Sequence, residues 1–256
     1  MLAASALLSG SPHLAPASLP VPETAALARL PIGGLDLVAA VWFLLAFGGY
    51  QLFAGSRALA RRSIVGAVQT QRVAWMHNLA IRDNRAVDAI LMQGLSQGNA
   101  FFASTCAIAI GGLAALMGSG EQMRAFLRRL PFATGDSTAL WELKTLLLIA
   151  IFIYAFFKFA WAFRLSHYAA IMIGAMPILT ETNRTECHSH AERAARLIGI
   201  AANHTNGGIR SFYYAFAAMA WYFHPVLLML ATLWILAILV RRDFFSRSLK
   251  ALAAPG

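Results

Sequence analysis

An all-α, polytopic membrane bundle is the fold class this sequence predicts, and three observations predict it. Hydrophobic residues make up 59% of the 256-residue chain and charged residues only 12%, where a soluble domain carries about a quarter charged. The mean hydropathy is +0.62. Four apolar runs are each long enough to cross a bilayer, since about 20 helical residues span a hydrocarbon core of about 30 Å.

The stretch 1–34 reads as a mobile N-terminal tail. Pro12, Pro16, Pro20, Pro22 and Pro31 break it repeatedly, and the basic head of a signal peptide is missing. The first span is 35–54, apolar apart from Asp36 and Gln51, with Tyr50 near its end as an interfacial anchor. From Ser56 to Gln97 the chain turns polar without a proline. Ile64, Val68, Trp75, Leu79, Val87 and Leu91 recur at helical spacing among arginines, which predicts one amphipathic helix bent near Gly66.

The second span is 100–117, where Ala103, Ala107, Gly111 and Ala115 form a small-residue stripe suited to close helix approach. A loop with Arg124, Arg128, Arg129 and Pro131 follows. The third span, 140–163, carries Glu142 and Lys144 in its first turn and Lys158 close to its far end, where a lysine snorkels to the headgroups. Its helix extends toward Pro177, unless 166–179 re-enters the bilayer. Residues 180–206 read as a second surface helix, ended by Gly207 and Gly208. The last span is 211–240, kinked at His224-Pro225. Residues 241–256 form a basic tail with Arg241, Arg242, Arg247 and Lys250.

The net charge of +10 falls beside apolar spans. It therefore points to anionic lipid headgroups and topology rather than nucleic acid. Four alternating spans put the loops 55–99 and 164–210 on one side with eleven Lys and Arg, against eight on the other with both termini. Positive-inside counting makes the two long loops cytoplasmic, at the cell's inner (plasma) membrane.

Two segments carry a family resemblance. They are QRVAWMHNLAIRDNRAVDAILMQGLSQGNAFFASTCAIAIGGLAAL at 71–116 and ANHTNGGIRSFYYAFAAMAWYFHPVLLMLATLWILAILVRRDFFS at 202–246. In this order the chain, from about residue 37 to 248, resembles the membrane family called domain of unknown function 599. The resemblance implies a four-span membrane protein, gives weight to Arg82, Asp83, Arg85, Asp88, Asn206 and Arg210, and transfers no activity or catalytic residue.

Three constellations bear on chemistry. Arg85, Asp88, Met92, Ser96 and Asn99 lie on one helical stripe by steps of three or four, and Asn206 and Arg210 begin the last span on the same side. Together with Arg82 and Asp83 they form either a cation-lined vestibule for an anionic solute or lipid headgroup, or an Arg/Asp network that fastens the surface helix to the bundle. The second reading is the favoured one. The loop histidines His188, His190 and His204 are weak metal candidates: His188 and His190 diverge on a helix, and no HExxH or paired CxxC occurs. His224 is an intramembrane histidine, a functional candidate by default, set against the plainer reading that it bonds the backbone freed by Pro225. His77 reads as a surface residue. Cys106 and Cys187 fall in an apolar span and a polar loop, so no disulfide is expected.

No Walker loop, GxSxG, GxGxxG or histidine box appears. The sequence therefore favours a non-enzymatic structural or accessory subunit of a membrane assembly, with a protein partner or a homo-oligomer. A small-solute or ion transporter using the vestibule comes second, and a metalloenzyme using the histidine loop third. No cofactor is indicated.

Overall fold

The computed structural model describes residues 33–55, 63–119, 125 and 137–253. The N-terminal prolines and Arg57, Arg61, Arg62, Arg124, Arg128, Arg129 and Pro131 lie outside them. The described helices are α1 (Gly34–Gly55), α2 (Ile64–Ala80), α3 (Ala86–Gly118), α4 (Thr138–Gly174), α5 (Arg184–Met219), α6 (Pro225–Phe244) and α7 (Arg247–Ala253), with a 3-10 turn at Ala220–Tyr222. No strand occurs among the described residues.

Four stretches are long and apolar enough to cross a membrane: α1, α3, α4 and Pro225–Leu252, which joins α6 to α7. The expected helical bundle is therefore present. α1 and α6 run parallel. Trp221 Nε1, just before α6, donates to Asp36 Oδ1 at the start of α1 (2.8 Å), and Tyr50 near the end of α1 donates to Asp243 Oδ2 near the end of α6 (2.9 Å). Between Pro225 and Asp243 α6 rises about 27 Å at 1.5 Å per residue, close to a hydrocarbon core.

α5 runs antiparallel to both and fills the middle. Tyr214, Ala215, Ala217 and Ala218 are buried there with Phe43, Leu148 and Leu228, and Tyr214 Oη donates to the Ala46 carbonyl (3.1 Å). Beyond the Gln51–Gly207 level α2, the first part of α3, the end of α4 and the first part of α5 form an outer layer. Its core is Met76, Leu79, Met92, Ile173, Cys187 and Ile198.

Three expectations are corrected. The single helix over 56–97 is two helices, because the chain turns at Ile81–Arg85. Asp83 and Asn84 are turn formers there, and the Asn84 side-chain oxygen accepts from Ala86 N (2.9 Å), a local bond that competes with helix continuation. α3 then runs unbroken from Ala86 through the second span.

Gly207 and Gly208 do not end a helix. A Cβ at Gly208 would stand 2.5–2.8 Å from the Phe159 ring, and one at Gly207 would meet the Lys158 stem at 3.6 Å. Their smallness serves close packing on α4, and tertiary contact overrides local propensity.

The last span does not begin at Ser211. α5 continues to Met219 and the chain breaks at 220–224, where His224 is extended (φ −161°, ψ 141°), the conformation a following proline demands. Pro225 is then the first residue of α6. With the second half of α5 lying beside α1, the ends of α1 and α6 meet. The C-terminal tail therefore shares a side with the outer layer, and the start of α1 lies at the opposite side. This replaces the arrangement with both termini together.

Candidate functional site: the polar layer at the bundle boundary

The weighted residues do not form one vestibule. They separate into an outer cluster, an inner cluster and a cleft between them.

In the outer cluster, Asp88 sits in the first turn of α3, where a carboxylate suits the helix dipole. It is wholly buried. Its Oδ1 accepts from Trp75 Nε1 of α2 at 2.6 Å and from Arg82 Nη1 at 2.9 Å. Arg82 is 46% exposed, so one partner of this pair is still in water. Arg85 reaches past the end of α4 and donates to the carbonyls of Met176 (2.5 Å) and Pro177 (3.4 Å), satisfying carbonyls beyond a helix C-terminus with a cation. Asp83 is exposed in the turn. The stripe extends inward as Met92 and Asn99, both buried, and Asn99 Oδ1 accepts from Thr205 Oγ1 of α5 at 2.7 Å.

The inner cluster joins three distant helices. Arg210 of α5 pairs with Asp243 of α6 at 3.2 Å, and their side chains are 6% and 3% exposed. The second carboxylate oxygen of Asp243 accepts from Arg242 Nε at 3.0 Å and Tyr50 of α1 donates to the first, while Arg210 Nε is buried without a partner. The Arg210 guanidinium lies 5.6 Å from the centre of the Tyr50 ring. A buried charge needs this density of partners, since desolvation of each ion costs several kcal/mol. Gln51 ties α1 to the same place by donating to the Gly207 carbonyl (3.1 Å).

Asp243 and Tyr50 were not among the sequence candidates. One signal pointed to Asp243: it is the sole acid in a basic tail, directly after Arg241 and Arg242.

The histidines stand apart. The His188 ring meets His77 edge-on at 4.8 Å, so His77 is half-buried rather than a surface residue. His190 Nε2 lies 2.8 Å from the Met172 carbonyl. His204 faces the interior, where burial and the nearby Lys158 charge push its pKa below the ordinary value. Among the described residues no three His, Cys, Asp or Glu stand together as a metal-ligand set. His224 is not a mid-span residue. It caps α6, its Nδ1 accepting from Val226 N at 3.1 Å. The Lys158 ammonium lies 5.2 Å from the Tyr154 ring centre. Cys106 and Cys187 are buried and unbridged.

Asn206 joins neither cluster. It lines a cleft between α2, α3 and α5 of about 490 Å³, with Arg72, Trp75, Asn99 and Thr205. A second groove of about 440 Å³ lies between α3 and α4, lined by Arg85, Gln93, Ser96, Gln97 and His167 among others.

Compared with known proteins, residues 38–248 match the family model described as "Protein of unknown function, DUF599". No curated protein and no solved structure matches the chain.

Proposed function

The chain belongs to the protein family of unknown function DUF599, and from that premise we propose that it is a non-enzymatic structural or accessory subunit of a membrane assembly. The observation that carries this reading is the outer face of α3. Val87 and Ile90 are 63% and 66% exposed, yet they lie in the first turns of α3, beside the charged turn Arg82–Arg85. Asn99 marks the boundary level, so Val87 stands about 18 Å beyond it at 1.5 Å per residue. We read these apolar side chains, so far from the Asn99 level, as the contact for a protein partner. The same face runs down through Phe101, Ile108 and Gly111, all exposed, and α3 buries only Asp88, Met92, Asn99 and Cys106.

The transporter alternative needs free polar groups along a passage. Arg82, Arg85, Asp88 and Arg210 each bond to internal partners, which supports a fastening role for them, although Asp88 Oδ2 and Arg210 Nε are buried without one. The described arginines Arg72, Arg82, Arg85, Arg164, Arg184, Arg193, Arg196, Arg210, Arg241, Arg242 and Arg247 stand in or next to the outer layer and the tail, and they outnumber Arg29, Arg124, Arg128 and Arg129 of the sequence. Positive-inside logic then makes that side the cytoplasmic face of an inner, or plasma, membrane, where the arginines also face anionic headgroups.

The test is native mass spectrometry of the protein extracted gently from its own membrane. The expected mass is a stoichiometric complex with a different protein, lost in the double variant V87K/I90K while the thermal midpoint is kept. A bare monomer, or a homo-oligomer indifferent to that substitution, overturns the reading.

A further inference from the structure

Arg72 belongs to neither cluster. It lies on α2, half-buried, and its Nη1 donates to the neutral Gln69 Oε1 at 3.3 Å. Among the described residues no carboxylate pairs with it. Burial pushes its pKa downward, the cost of holding a cation in poor solvent. It faces the 490 Å³ cleft between α2, α3 and α5, and it is the only ionisable residue among those that line it. Asp88, whose Oδ1 accepts from Trp75 and Arg82, does not line the cleft.

The rest of the lining sorts into two kinds. Asn206 and Thr205 are polar and stand on α5 beside the boundary. The Asn206 carboxamide makes no hydrogen bond among the described residues. Met92, Leu95, Phe102 and Ile198 are apolar. Phe102 stacks on Phe159 at 5.1 Å, already within the membrane layer, while Arg72 stands in the outer layer. The cleft therefore starts in the bilayer boundary and ends at an unpaired cation.

Its volume is within the roughly 300–1,000 Å³ typical of ligand pockets. Gly94 and Gly98 leave its α3 wall open, since a Cβ at either would meet nothing within 4 Å. The neighbouring groove between α3 and α4 differs in one respect: its arginine, Arg85, is already spent on the Met176 and Pro177 carbonyls.

We propose that this cleft binds an anionic amphiphile, with its carboxylate or phosphate head on Arg72 and Asn206 and its hydrocarbon chain along Met92, Leu95 and Phe102. A guanidinium and a carboxamide donate to an anionic oxygen, and the apolar wall shelters a chain that enters sideways from the bilayer. The head chemistry is shared by a free fatty acid and by an anionic phospholipid, and the experiment separates these sources. The proposal is independent of the partner reading, because Val87 and Ile90 do not line the cleft.

The experiment uses the full chain in phosphatidylcholine nanodiscs with a diazirine-bearing oleate as photo-crosslinker, followed by peptide mapping. Label is expected on 92–102 and 198–206. Arg72→Gln and Gly98→Leu should each lower the yield at least tenfold with an unchanged thermal midpoint, Gly98→Leu by filling the chain path. Arg247→Gln on the exposed tail should leave the yield as it was. If Arg72→Gln fails to fold, Arg72→Lys keeps the charge and should keep the label.

Unlabelled oleate competing while phosphatidylglycerol in the disc does not assigns the site to a free fatty acid. The reverse assigns it to a bilayer lipid. Competition by neither, equal competition by oleyl alcohol, or full labelling of Gly98→Leu overturns the proposal.

Discussion

The outer and inner clusters use the same chemistry at different depths. Each is an Arg–Asp pair buttressed by an aromatic donor, Trp75 for Asp88 and Tyr50 for Asp243. Arg82 is 46% exposed and Arg210 only 6%. Water shares the work of solvating the outer arginine, whereas the inner one has only the protein. The outer pair closes a turn six residues long, and the inner pair joins helices whose partners are 33 and 193 residues apart. The difference teaches that one pair staples local structure while the other fixes how the bundle is assembled.

The comparison breaks most sharply at Asp243. Asp243→Ala strands Arg210 without a counter-ion, and loss of one partner of a buried pair costs about 3–5 kcal/mol. The thermal midpoint in detergent should fall steeply, or folded protein should disappear. The double variant R210M/D243L removes both charges and should recover most of the loss, as apolar replacements of buried pairs do. Failure of that rescue would mean the pair supplies more than neutralisation.

Trp75→Phe keeps the ring but removes the 2.6 Å donor to Asp88. A buried acceptor that loses its partner costs about 1–3 kcal/mol, read as a smaller fall in the same midpoint. Arg82→Ala should cost about 1–2 kcal/mol, above a surface pair and below the inner one. Raising salt to half-molar should shrink the Arg82→Ala penalty, because exposed charges are screened, and leave the Asp243→Ala penalty unchanged. Equal salt dependence at both sites would erase the distinction drawn here.

The smallest effect concerns His204, which lies between the two regions. Its folded pKa is held below the ordinary value by burial and by Lys158. The unfolded chain therefore takes up the proton first as pH falls. Stability is fully present above the ordinary histidine pKa, near 6.5, and declines as pH drops through it. A series of midpoints from pH 7.5 to 5 should slope downward, and His204→Gln should flatten that slope.

What the sequence made legible was whatever repeats within a helix turn or two. The stripe Asp88–Met92–Asn99 was readable from its spacing, and those residues are buried in the structure. The apolar lengths of α1, α3 and α4 were readable for the same reason. Gly207-Gly208 was misread as a terminator, since local propensity is visible in a sequence and the Phe159 ring against Gly208 is not. The turn at 81–85 is hidden because the apolar spacing continues across it, from Leu79 to Val87, and outweighs the turn propensity of Asp83 and Asn84. Arg210 was singled out, but its partners were not. Asp243 and Tyr50 reach it only after the chain has crossed the bundle, and no periodicity carries that distance.

The burial of Arg210 bears on how the protein is made. A buried arginine without its counter-ion is costly to an inserting segment, and α5 opens with a long polar half besides. On emerging from the ribosome it has α1 and α4 to lean on, but its counter-ion is still 33 residues from being synthesised. It follows that α5 cannot settle as an independent unit. The charge of Arg210 is matched only once α6 has delivered Asp243, so the two helices depend on each other for that burial.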